Sequence, residues 1–348
     1  HSRKIHAIAM GWAGSTAGRC RAYVGVGAAV GPPLEGVPPL PPEFRPRRSV
    51  LFMPGSNPRA LAKARSLAAD GLIFDLEDAV AAAAKDSART AVAAALAAGG
   101  YGGRELVLRV NALDTPWGEA DLAAAARMPV DAVLLPKVES AADVRRAASR
   151  LDAAGAPSTL AVWCMLETPL GILEAPAIAA ASPLLAALVA GTADLTKDLH
   201  ALHTPDRAPL MTALGLVLLA ARARGLAALD GVHLDLADDD GFAVVCRQGR
   251  TLGFDGKTLI HPNQIEAANA AFAPSAEEVA WARRVIAAHA EAKLRGDGVV
   301  LLDGRLVENL HVEDARRVLA ITAAIHQIEV RSAAPADGRT SPGAASLR

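Results

Sequence analysis

From Arg47 onward the chain alternates short apolar runs with segments of helical period. The apolar runs are SVLFMPG (49–55), GLIFDLED (71–78), ELVLRVN (105–111), AVLLPK (132–137), LAVWCMLET (160–168), AALVAGTAD (186–194), LDGVHLDL (229–236) and KTLIHP (257–262). Rich in Val, Ile and Leu and bounded by turn residues, they read as strands. Between them, PRALAKARSLAA, DSARTAVAAALAA, GEADLAAAAR, AADVRRAASRLDAAG, PLGILEAPAIAAA, MTALGLVLLAARARG, DDDGFAVVCRQGRTLG and NQIEAANAAF read as helices. Near-continuous apolar strands suit a parallel sheet covered on both faces. Eight such units suit a closed barrel better than an open sheet, since a (β/α)₈ barrel needs about 250 residues.

After Pro274 the pattern changes. SAEEVAWARRVIAAHAEAK is a long amphipathic helix, GDGVVLLDGRLVE a hairpin turning on Asp303-Gly304, and HVEDARRVLAITAAIHQ a last helix. The expected fold is therefore α/β: a TIM (β/α)₈ barrel over 46–274 with a helix–hairpin–helix appendage over 275–330. Residues 1–45 carry no acid before Glu35 and end in a proline-rich stretch, which reads as a disordered, targeting or artefactual leader. GVGAAVG at 25–31 is not a dinucleotide loop, because Val30 stands at the third glycine position. The polar stretch 331–348 reads as a disordered tail.

Composition narrows the partners. With 36 basic against 37 acidic residues and 3% aromatics, neither a basic field nor a stacking platform for nucleic acid is present. Cys20, Cys164 and Cys246 form no C-x-x-C pair, which fits a reducing, cytoplasmic setting, with organellar targeting by the leader as the alternative. No apolar run reaches the roughly 18 residues of a membrane span.

Polar residues gather at the strand ends: Asn57, then Asp75, Glu77 and Asp78, Arg109 and Asn111, Lys137, Glu167, Asp194, and Lys257 with His261. In a barrel these converge on the face where active sites lie. A lone carboxylate there is commonly a helix cap, and a lone arginine a structural ion pair. Two carboxylates on neighbouring strands with further acids nearby suit Mg²⁺. His200 and His203 lack a third zinc ligand at helical spacing.

RSVLFMPGSNPRALAKA, GLIFDLEDAVAAAAKDSAR, LRVNALDTPWGEADL, LLPKVES, MLETPLGIL, GTADLTKDL and GFDGKTLIHPNQI together resemble the CitE-like CoA-ester lyases of the HpcH/HpaI aldolase–citrate lyase family, from about Arg47 to Leu319. The resemblance implies a TIM barrel and Mg²⁺-dependent (or Mn²⁺-dependent) cleavage or formation of a C–C bond. The substrate class is a 3-hydroxyacyl-CoA such as malyl-CoA, β-methylmalyl-CoA or citramalyl-CoA, split into a 2-oxo acid and acetyl- or propionyl-CoA. By motif, Glu167 and Asp194 match metal ligands, Arg109 the arginine that holds the oxo-acid carboxylate, and Glu77 and Asp78 partners of metal-bound water. Phe52, Lys63, Ala193, Asp194, Ile260 and His261 match positions contacting the CoA ester.

In the family an aspartate from a neighbouring subunit's C-terminal hairpin is the acid–base group. Glu308 occupies that position here, one methylene longer, where a misplacement of about 1 Å can cost on the order of 100-fold in rate. The borrowed residue implies a homotrimer or homohexamer. The expected activity is a carbon–carbon lyase. The alternatives are a (3S)-malyl-CoA thioesterase on the same scaffold, a citrate lyase β subunit acting on an acyl-carrier-protein thioester, and a non-catalytic barrel.

Overall fold

The structure, a computed structural model, describes residues 45–333. Strands β1 (Ser49–Pro54), β2 (Gly71–Asp75), β3 (Glu105–Arg109), β4 (Ala132–Leu135), β5 (Ala161–Leu166), β6 (Leu185–Ala190), β7 (Ala227–Asp230) and β8 (Gly256–Leu259) close in sequence order into a barrel. Every neighbouring pair is parallel, and β1 closes the ring on β8 through Ser49↔Lys257 and Leu51↔Leu259.

The outer layer is α1 (Pro58–Lys63), α2 (Lys85–Ala97), α3 (Gly118–Ala125), α4 (Ala141–Ala153), α5 (Pro169–Leu173), α6 (Ala175–Ala179), α7 (Thr192–Asp198), α8 (Met211–Arg222), α9 (Asp239–Leu252) and α10 (Ile265–Phe272). Several helices begin where a side chain satisfies their orphan amides. Asn57 accepts from the Arg59 and Ala60 N–H groups, Ser140 from Asp143, and Asp238 from Gly241.

The period-2 alternation of the strands sorts the core into two parts. Leu51, Leu72, Phe74, Leu108, Val133, Cys164 and Leu188 face the helices. Val50, Ile73, Val107, Leu134, Trp163, Val189 and Leu229 fill the barrel interior. Below that interior layer the Arg47 guanidinium lies 5.1 Å over the Trp163 ring and pairs with Glu105 at 2.6 Å. Above it, β1, β2, β3 and β5 supply Phe52, Asp75, Arg109 and Met165. Interior layers that end in charge at the C-terminal face are how a packed barrel carries a site.

The appendage is α11 (Ala276–Leu294), the antiparallel hairpin β9 (Val300–Leu302) and β10 (Arg305–Val307), and α12 (Asn309–Ala333). A capping box between Ser275 and Glu278 starts α11. Asp303 and Gly304 turn the hairpin with φ of 49° and 74°, the two positive values a tight hairpin turn requires. Ala282, Val285, Val307, Val312, Ala315 and Leu319 give the unit its own small core. Arg48 reaches Glu329 at 3.3 Å, tying the end of α12 to the start of β1.

Several expectations are corrected. The seventh strand is Ala227–Asp230, and most of LDGVHLDL lies beyond it; at Gly231 the chain passes so close to α7 that a Cβ would meet Thr192 Oγ1 at 2.4 Å. PLGILEAPAIAAA forms two short helices meeting at Glu174, with Pro176 in the first turn of the second. PRALAKARSLAA is helical only to Lys63, followed by a 3₁₀ turn at Ala64–Ser66. The last helix runs to Ala333, three residues into the stretch read as a tail. Of the leader only Arg45 is described, paired with Asp131 at 3.0 Å; the rest of 1–45 and residues beyond 333 lie outside the described residues.

Candidate active site

Asp75 and Glu77 are two residues apart at the end of β2, so the strand period turns both toward the mouth. Arg109, paired in register with Asp75 on β3, donates Nε and Nη2 to the two Asp75 oxygens at 2.7 Å each. Its Nη1 lies 2.9 Å from Glu77 and 3.9 Å from the Met165 sulfur, and its guanidinium stacks 4.7 Å over the Phe52 ring. Asp75 also accepts the backbone N–H groups of Glu77 (2.9 Å) and Ala79 (3.1 Å). A planar fork held bidentately from one side is pre-aimed on the other. The surrounding carboxylates keep Arg109 charged despite its burial.

Lys85 of α2 supports the same segment. Its buried ammonium donates to the carbonyls of Leu76 (2.8 Å) and Glu77 (2.7 Å) and lies 5.5 Å from the Trp117 ring. Burial lowers its pKa, and nearby Asp75, Glu77 and Asp78 oppose that shift.

Lys137, just past β4, has a left-handed backbone, φ 49°. That turn presents its N–H to Glu167 Oε1 at 2.8 Å. Its ammonium bonds Glu77 Oε1 and stands 3.7 Å from Asp78 and 3.8 Å from Asp194. Burial works against the Lys137 charge, but Glu167, Glu77 and Asp78 together raise its pKa above the ordinary lysine value.

Glu167, at the end of β5, is 2% exposed. Its side chain lies against Gly191, where a Cβ would stand 2.2 Å from the Glu167 Cβ and 2.7 Å from Oε2. Gly191 is thus the cradle for this carboxylate. Burial pushes the Glu167 carboxyl up to about 7, partly opposed by Lys137 and Arg109. Asp194, in the first turn of α7 beyond β6, keeps its side chain one-third exposed.

Five strand-end carboxylates (Asp75, Glu77, Asp78, Glu167 and Asp194) thus face three cations, Arg109, Lys137 and Lys85. With all ionised, two negative charges are left over. The donors are oxygen only, which suits a hard divalent cation that keeps water or substrate in its other positions. Among the described residues no three His, Cys, Asp or Glu side chains form a closed metal cage.

The remaining expected residues are placed around this cluster or away from it. Phe52 serves as the platform under Arg109. Ala193 adjoins Asp194 on α7, and Lys63 is exposed at the end of α1. Ile260 follows β8, its N–H held by Gln264 Oε1 at 3.1 Å, and His261 caps the 3₁₀ turn Pro262–Gln264. Glu308 follows β10, and among the described residues no hydrogen bond or ion pair joins its side chain to the mouth of its own barrel.

Three strand-end residues do other work. Asn57 is a cap, and Asn111 donates to Asp121 (2.6 Å) and the Leu76 carbonyl (3.0 Å). Lys257 faces the helices rather than the mouth, fully buried against Asp230 at 3.0 Å, which Arg207 also clasps at 2.7 Å. The alternation of β8 decides this, since Leu259, two residues on, packs in the outer core. Sequence reasoning had not singled out Lys85 or the clamping role of Asp75. The i, i+2 spacing in DLED was the available signal for Asp75; nothing in AAAAKD marks Lys85.

Known proteins share this architecture. Over 283 residues the chain is 50% identical to a (3S)-malyl-CoA thioesterase of Cereibacter sphaeroides, covering 81% of this chain and 97% of that protein. It is 40% identical over 290 residues to the citrate lyase subunit beta of Leuconostoc mesenteroides subsp. cremoris, covering 82% and 96%. Among solved structures, the CitE protein of Mycobacterium tuberculosis in complex with magnesium, acetoacetate and coenzyme A aligns with a TM-score of 0.65 and 35% identity, over 79% of this chain and 97% of that one. Residues 48–262 match the HpcH/HpaI aldolase/citrate lyase family, and the chain belongs to it.

Proposed function

We propose that the chain is a Mg²⁺-dependent enzyme acting on a malyl-CoA-type thioester at the mouth of the barrel. The observation that carries this reading is the meeting of Glu167 and Asp194 with Arg109 and a net excess of carboxylate. The CitE structure with magnesium and coenzyme A supports the cofactor and the substrate class.

Glu167 and Asp194 would hold the metal. Burial pushes the Glu167 carboxyl up to about 7, and a divalent cation bound there would favour its ionised form. When bound, Mg²⁺ supplies Lewis-acid polarisation of substrate oxygens. Arg109, its fork locked by Asp75, orients the substrate carboxylate through the Nη1 edge that now meets Glu77. Glu77 and Asp78 accept hydrogen bonds from water at the site. The loops bearing Lys63, Ala193, Ile260 and His261 take the CoA portion. Glu308, on the appendage just after β10, serves a neighbouring subunit of a homotrimer or homohexamer as the acid–base group.

Two outcomes share this machinery. Hydrolysis adds water to the thioester and releases malate and CoA. Cleavage passes the substrate hydroxyl proton to water held by Glu77 and Asp78 and breaks the C–C bond, giving glyoxylate and an acetyl-CoA enolate that the protonated Glu308 carboxyl protonates. The 50% identity to a (3S)-malyl-CoA thioesterase favours hydrolysis. The 40% identity to a citrate lyase subunit beta keeps carbon–carbon cleavage as the second reading.

The test is incubation of the purified protein with malyl-CoA, with Mg²⁺ or with EDTA, following malate, free CoA and glyoxylate separately. Malate and CoA without glyoxylate establish hydrolysis, and glyoxylate with acetyl-CoA establishes the lyase. No metal-dependent turnover in either channel overturns the reading.

A further inference from the structure

Lys137 is the group in the mouth whose placement the proposed chemistry leaves unexplained. Its ammonium bonds Glu77 and stands 3.7 Å from Asp78 and 3.8 Å from Asp194, while its own N–H holds Glu167 at 2.8 Å. One residue therefore touches both carboxylates assigned to the metal, one through its backbone and the other through its charge. A cation among these acids repels a second cation seeking them, and at short range in a partly buried site that repulsion is large.

Beside Lys137 lies a cavity of about 250 Å³ between the loops that follow β3 and β4, bordered by Asn111, Asp114, Glu139 and Asp143. The Lys137 side chain is 38% exposed, so it can turn toward that cavity without crossing the core. Asp114 and Glu139 offer it carboxylates there.

We propose that Lys137 is a positioning residue that competes with the divalent cation: its ammonium and the metal draw on the same carboxylates, and metal loading drives the side chain into the cavity between the β3 and β4 loops. The backbone contact to Glu167 is untouched by that swing, so one metal-holding carboxylate stays fixed while the charge on the other is released. The inference rests on the Mg²⁺ reading given above. It sets the site's affinity through a group that a merely structural lysine would not use, since removing an ion-pair partner from a metal-free scaffold normally weakens a site rather than tightening it.

The test is isothermal titration of the full-length protein with Mg²⁺ and Mn²⁺, comparing the parent with Lys137→Asn and Lys137→Arg. Asn is chosen because it is neutral and tolerates the left-handed backbone at this position. Lys137→Asn is expected to bind the cation at least about tenfold more tightly, and Lys137→Arg within about threefold of the parent. Circular dichroism and melting confirm that each variant is folded. Parent binding with a folded Asn variant no tighter overturns the inference and leaves the metal reading standing. A parent that binds neither cation overturns both.

Discussion

If Glu167 holds the metal as proposed, metal affinity should depend on pH. Its folded carboxyl titrates near 7, against an ordinary value of 4.5, chiefly because burial removes its water. Only the ionised carboxylate can ligate, so metal and proton compete. With one proton of pKa about 7 in competition, apparent Mg²⁺ affinity should rise about tenfold between pH 6 and pH 8 and flatten above it. The stability of the protein without metal moves the other way. A carboxyl whose pKa is raised on folding favours the folded state below its unfolded pKa and loses that advantage as pH rises through the folded value. Between pH 4.5 and pH 7 the loss approaches about 3 kcal/mol as an upper bound. The assay is titration calorimetry with Mg²⁺ at pH 6, 7 and 8, paired with melting curves in EDTA. Affinity that is flat across this window, together with a melting temperature that does not fall from pH 5 to pH 8, would refute the assignment of a raised pKa to Glu167. Glu167→Gln should abolish binding and level the melting profile together.

Gly191→Ala places a methyl 2.2 Å from the Glu167 Cβ; it should lower the melting temperature and weaken Mg²⁺ binding at least about fivefold, as crowding of about 1–3 kcal/mol predicts, and calorimetry showing parent-like affinity would count against the cradle. Asp75→Asn breaks a buried bidentate pair. It should cost about 3–5 kcal/mol in urea unfolding and reduce kcat/KM more than kcat; a loss under about 1 kcal/mol would show that Glu77 suffices to hold Arg109. Glu308→Gln should leave the melting temperature and CoA-ester binding near those of the parent while removing turnover, and Glu308→Asp should retain part of it; full activity in the Gln variant would assign the acid–base role elsewhere.

The alternation of apolar runs and helical segments carried the eight-unit barrel and the appendage, because burial on both faces of a parallel sheet leaves a periodic record in each segment. Strand-end chemistry was legible for the same reason: a residue one step past an apolar run must lie at a barrel rim. Three matters needed the closed fold. The seventh strand stops at Asp230, and Gly231 just beyond it lies so close to Thr192 at the start of α7 that a side chain would clash there, a contact between segments about forty residues apart. Lys257 and Lys137, both lysines at a strand, part company because the alternation of β8 buries one behind the barrel wall while a left-handed turn after β4 lifts the other into the mouth. And the burial that pushes Glu167 up to about 7, partly opposed by Lys137 and Arg109, exists only when the closed barrel packs around the end of β5, since desolvation follows packing in space and not order along the chain.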